Sequence, residues 1–252
     1  MLGAVLLTLV GCAETKETRY MDAVPIATAP LASFTTALGY EVELKRVELA
    51  LEAQYFTRFG EAHQAQRTLP VLDWAFSTAW AHPGHSQGGE VTGEAPGPST
   101  AVFLPASSDD TSPAPFSHAQ LAAGDYDAVD FVFGRLENSP EHSMILEGVA
   151  LKDDDTHPFL FHVTQDVGRQ VIGIPFDATV NSERPLRLHF DGQSRFEVGG
   201  AYPTVFDTLD FATDIQWKTQ DGADVMVAEP GTLNRLRGQL QKHDYYYYDV
   251  DN

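Results

Sequence analysis

From Tyr40 to Phe56 the chain reads "YEVELKRVELALEAQYF", and its period-two alternation is the feature that most limits the fold. Val42 and Leu44 fall on one side, with Glu41, Glu43 and Lys45 on the other. The register then slips by one, and Val47, Leu49, Leu51, Ala53 and Tyr55 continue the apolar set. Successive side chains of a strand point to opposite faces, so the stretch predicts a half-buried strand with a β-bulge or a break at the slip. A helix is the rival, because Glu, Leu and Ala favour it. The sustained alternation from Val47 to Tyr55 favours the strand.

Short apolar runs recur at 100–105, 127–137, 143–151, 158–165, 169–180 and 185–192, mostly set apart by Gly, Pro, Asn or Asp turns. This pattern predicts a mainly β chain, an antiparallel β-sandwich with long loops. Leu186, Leu188 and Phe190 face inward, with Arg187 and His189 outward. One short C-terminal helix is expected over 232–242. Thr232 is its N-cap, Leu233, Leu236 and Leu240 stand at helical spacing, and Lys242 and His243 sit in the last turn. The tyrosines that follow predict an edge strand.

Residues 2–11 are apolar or small and the run stops at Cys12. At about 1.5 Å per residue it is too short for a hydrocarbon core of about 30 Å, and it reads as the apolar region of a signal peptide. Leu9-Val10-Gly11-Cys12 resembles the bacterial lipobox. That resemblance implies cleavage before Cys12 and a diacylglycerol on its sulfur. Residues 1–11 are then a signal peptide, 12–31 a lipidated polar tether, and 32–252 a single β-sandwich domain. Ala13, rather than Asp, after the cysteine implies outer-membrane sorting, with the protein lipid-anchored and facing the periplasm or the surface. The membrane is then a partner through the anchor. Cys12 is the only cysteine, so no disulfide forms within the chain.

A formal net charge of −20 repels nucleic acid and anionic headgroups and attracts cations. Two long stretches, 57–98 and 105–117, carry few strand signals. The first holds Trp74, Trp80 and the pair His82 and His85 around Pro83-Gly84. A turn there brings both imidazoles to one ion, and Glu90 or Glu94 supplies an oxygen. Nine histidines in an acidic chain with no free thiol make Zn²⁺ or Cu²⁺ the expected cofactor. His162 lies opposite the Phe159 and Phe161 face together with Leu160. His142 shares the parity of Met144, and if their strands pair, His142 and His162 are cross-strand neighbours. His243 with Asp244 is a further candidate. His63, His118 and His189 read as structural or exposed.

"LAAGDYDAVDFVFG" resembles a pattern of extracytoplasmic β-sandwich proteins, including the copper-associated MbnP-like family, through Leu121, Gly124, Tyr126, Phe131, Phe133 and Gly134. The resemblance implies a metal-handling sandwich. No H-E-x-x-H, P-loop or dinucleotide fingerprint is present. Three functions remain. The first is a lipoprotein that binds Zn²⁺ or Cu²⁺ through His82 and His85, with a third ligand from Glu90, His162 or His243, and serves a metal-transport partner. The second is a non-catalytic module that contacts a glycan or protein through Trp74, Trp80 and the tyrosines. The third, behind these, is a metal-dependent hydrolase.

Overall fold

The structure is a computed structural model that describes residues 19–58, 90–106, 118–166, 168–220, 223–228 and 230–251. Cys12, Trp74, Trp80, His82 and His85 lie outside the described residues, as does the signal-peptide run. In chain order the strands are β1 Tyr20–Val24, β2 Ile26–Thr28, β3 Ser33–Thr35, β4 Glu41–Arg58, β5 Glu90–Phe103, β6 Ala119–Ala122, β7 Gly124–Phe133, β8 Met144–Lys152, β9 Asp155–Val163, β10 Gln170–Val180, β11 Leu186–Phe190, β12 Ile215–Gln220, β13 Ala223–Ala228 and β14 Tyr246–Val250. The helix α1 spans Pro230–Leu240.

The alternating stretch is β4, and the larger sheet is organised around it. This sheet has nine strands, in the order β1-β6-β5-β4-β7-β10, with β3 and β8 also on β4 and β9 on β8. Along one flank β5 pairs with Val47–Arg58. The other flank is shared end to end: β8 takes Glu41 to Leu49, and β7 takes Leu51 to Thr57. The register shift between Leu44 and Arg46 is the expected bulge. A second shift, between Leu51 and Ala53, was not expected. It moves the inward set, so Gln54 and Phe56 point into the core and Tyr55 is only half-buried.

The smaller sheet, β14-β11-β2, lies against this one and completes the sandwich. Its inward residues are Leu186, Leu188, Phe190, Tyr246 and Tyr248, all buried. Ring pairs join the layers: Phe131 with Tyr246 at 5.1 Å, Phe56 with Tyr248 at 6.0 Å and Phe103 with Phe190 at 6.1 Å between centroids. At the centre the Tyr248 hydroxyl donates to Gln54 Oε1 at 2.5 Å. A second aromatic cluster, Phe159, Phe161, Phe206 and Phe211, fills the space under β9. Tyr40 closes one edge of it, with its ring against Phe211 and its hydroxyl donating to Asp210 Oδ1 at 2.5 Å.

Three expectations change. Residues 20–31 are not a polar tether: β1 pairs with β6, β2 runs parallel to β11, and Met21, Ile26 and Ala29 are buried. The packed domain therefore starts before residue 32. Residues 90–98, the end of a stretch expected to be loop for its few strand signals, form the first part of β5. The glycines there permit close approach. A Cβ on Gly97 would stand 2.3 Å from the Glu52 carbonyl oxygen, and one on Gly93 would stand 2.2 Å from Leu121 Cδ2. The helix begins at Pro230, a residue suited to a first helical position, so Thr232 lies inside the first turn and is not its cap. Leu236 and Leu240 are buried as expected. The β12–β13 hairpin was not anticipated.

Candidate metal centre

The connection from β7 to β8 sits where β4 changes neighbours, and Ala50 ties both of its ends. The Gly134 N–H donates to the Ala50 carbonyl, and the Ala50 N–H donates to the Ser143 carbonyl, each at 2.9 Å. Within the connection the His142 N–H donates to Ser139 O at 2.8 Å, and His142 O accepts the Leu136 N–H at 2.9 Å. Ser143, fully buried, donates its N–H to Val163 O at 2.8 Å. Its hydroxyl oxygen accepts from Arg135 Nη1 at 2.8 Å and from the Gln165 N–H at 3.2 Å. The backbone of His142 is therefore held from both sides.

Alternation fails at this corner. Ser143 and Met144 are both fully buried, so the His142 ring goes to the outer face rather than to the Met144 face. His162 is on that outer face, opposite Ile145, which is itself opposite Glu48 of β4. The two histidine rings meet edge to face with centroids 4.8 Å apart. The expected cross-strand neighbourhood is thus present. His142 Nδ1 lies 3.1 Å from Thr164 Oγ1, and the Thr164 hydroxyl donates to Glu141 O at 2.9 Å. His142 Nε2 lies 3.5 Å from Glu141 Oε1, whose side chain is 65% exposed. Burial of part of the His162 ring, and then the neighbouring His142, hold its pKa below the ordinary value, against the pull of Glu141 and Glu48.

The other expected ligands are elsewhere. Glu90 opens β5 opposite Arg58. Along β4, Arg58 and the Glu48 that marks the His162 level are ten residues apart. At about 3.3 Å per residue that is about 30 Å of strand, so the backbone positions of Glu90 and His162 are far apart along the sheet. Glu94 lies on the same strand, opposite Tyr55. His243 is in the 3-10 turn His243–Tyr245, with Nε2 2.9 Å from Asp244 Oδ1 and its ring against Phe196. It borders a shallow depression of about 450 Å³ that Arg169, Gln170, Ile172 and Gln241 also line.

His189 faces outward as expected, but it is covered, with its side chain only 17% exposed. It stacks on Tyr247 at 3.9 Å and sets Nε2 3.0 Å from Asp249 Oδ2. The Arg195 guanidinium lies 3.4 Å over the same tyrosine ring. Burial lowers the His189 pKa although Asp249 raises it. Of the four C-terminal tyrosines, Tyr245, Tyr246 and Tyr248 are core residues, which removes them as surface contacts.

Among the described residues, no three His, Cys, Asp or Glu side chains stand together as a ready-made metal cage. The His142–His162 pair is a two-histidine approach with an exposed carboxylate beside it. Glu141 and Thr164 were not singled out from sequence. Thr164 had a signal, since it stands two residues after His162 and shares its face. Comparison of the chain with protein-family models, with curated proteins and with solved structures gave no match.

Proposed function

We propose that this protein is an extracytoplasmic, lipid-anchored β-sandwich that captures a divalent transition cation, Zn²⁺ or Cu²⁺, at His142 and His162. The observation that carries the reading is the 4.8 Å separation of the two rings. With metal–nitrogen bonds of about 2.0–2.1 Å, two imidazoles on a tetrahedral ion have centroids about 5 Å apart. The ring spacing therefore suits a shared ion, and turning the His162 ring and drawing in Glu141 would complete a two-histidine, one-carboxylate set. The net charge of −20 supports the reading by concentrating cations near the surface. His82 and His85 stand in the chain between paired residues Arg58 and Glu90 and are the rival ligands.

Calorimetric titration of the full chain, purified without a histidine tag, with Zn²⁺ and with Cu²⁺ tests this. The expected result is a binding isotherm that His142→Ala and His162→Ala each weaken at least tenfold and that His82→Ala/His85→Ala leaves in place. Loss only in the His82→Ala/His85→Ala variant overturns the site. No heat with either metal overturns the function.

One observation favours a second reading, a non-catalytic module that binds a partner protein. Phe196, Val198 and Tyr202 are 36%, 68% and 51% exposed around the bridge between Val198 and Ala201.

A further inference from the structure

We infer that Thr164 is a positioning residue for this centre: its hydroxyl fixes His142 as the Nδ1–H tautomer and so leaves the Nε2 lone pair for the cation. The inference rests on His142 being a ligand. The argument is a count of protons. A threonine hydroxyl has one hydrogen, and a carbonyl oxygen can only accept. The Thr164 hydrogen is committed to Glu141 O at 2.9 Å. Toward His142, 3.1 Å away, the same oxygen can then only accept, so Nδ1 must carry the proton. A neutral imidazole has one N–H, and Nε2 is left as the acceptor.

The direction matters because the free histidine side chain in water prefers the opposite tautomer, Nε2–H. The Glu141 carboxylate, 3.5 Å from Nε2, also pulls that way. Without Thr164 the nitrogen that faces Glu141 would carry a hydrogen and would have to lose it before binding. The chain fixes the rest of the relay. Glu141 O belongs to the residue next to His142, and the His142 backbone is bonded at both N–H and C=O. Thr164 follows directly on β9, whose pairing with β8 runs through Met144 and Val163. The hydroxyl, carbonyl and ring are therefore placed by two paired strand ends. Metal-bound histidines usually donate the second ring N–H to an oxygen that orients them, and loss of such a partner costs about 10–100-fold in metal affinity.

The test reads the tautomer directly. Full chain labelled with ¹⁵N-histidine is examined without metal by long-range proton–nitrogen NMR at neutral pH, with His142 assigned by its loss in His142→Ala. The expected spectrum has Nδ1 protonated and Nε2 bare. Thr164→Val is expected to shift the ring toward Nε2–H and to weaken Zn²⁺ binding about tenfold, and Thr164→Ser is expected to restore both. A wild-type ring that is mainly Nε2–H overturns the inference without needing any variant. A ring unchanged in Thr164→Val does so as well. An Nδ1–H ring in a protein that shows no Zn²⁺ or Cu²⁺ binding leaves the relay standing and overturns its role at a metal centre, so the two failures are distinguishable.

Discussion

The bond between Tyr248 and Gln54 permits a prediction with a sign as well as a size. Gln54 is 1% exposed and Tyr248 3% exposed, and their side chains meet at 2.5 Å between the two sheets. Burial pushes the Tyr248 phenol well above its ordinary pKa, so it stays a neutral donor. Tyr248→Phe keeps the ring contacts with Phe56 and Phe176. It strands Gln54 Oε1 in a place where water has little access. A buried acceptor left without a donor costs about 1–3 kcal/mol. For a domain of this size about 2 kcal/mol lowers Tm by about 4–8 °C. Gln54→Met strands the phenol instead and costs a similar amount. In the double variant both polar groups are gone and the site is apolar. Replacing both partners by apolar groups is close to neutral, so the double variant should recover most of the loss from either single change. Urea unfolding of the four proteins measures this as a coupling of about 1–2 kcal/mol. If the single costs simply add in the double variant, the bond is not what holds these layers in register, and the reasoning fails.

Two further predictions concern the edges of the domain. Ile26→Ala should destabilise the fold by about 2–5 kcal/mol, because Ile26 is 1% exposed on β2; a denaturation midpoint equal to wild type would restore the tether reading. For Asp210, the Tyr40 hydrogen bond is the first cause holding its carboxyl below the ordinary range. Stability from that lowered pKa is present above the unfolded value near 4 and is lost as pH falls through the lower folded value. The Tyr40→Phe penalty should therefore shrink between pH 6 and pH 2.5, and equal penalties in urea at both would refute the assignment.

The alternation at Val42, Leu44, Val47, Leu49 and Leu51 was legible because each residue obeys one period in one register. Tyr55 misled because the bulge near Glu52 has no side-chain signature. Gly93 and Gly97 misled for a different reason. A glycine in a turn and a glycine under a neighbouring strand look alike in sequence, and only the lack of room for a Cβ beside Glu52 O separates them. Ile26 carries little signal, because three residues of strand are too few to show a pattern. At the candidate centre, the strand parity of His162 and its nearness to His142 were readable. The outward turn of His142 was not, since it depends on Ser143 being drawn inward by Arg135 and Gln165. Thr164 lies in the reading frame of His162, but its value comes from where its hydrogen goes, which only the geometry reveals.

The neighbours of β11 set the order of events in folding. One flank is taken by Ile26–Thr28 and the other by Tyr246–Val250. A ribosome making this chain would release β11 long before its second neighbour exists. During that interval β11 has an unpaired ladder on the side that β14 later takes. Such an edge recruits other chains when it waits in solution. Closure also spans most of the sequence, as the 194-residue separation of Gln54 and Tyr248 illustrates. Pairings this distant put the chain among slow folders, on the order of milliseconds to seconds. The arrival of the last strand, Tyr246–Val250, is then what ends that exposure.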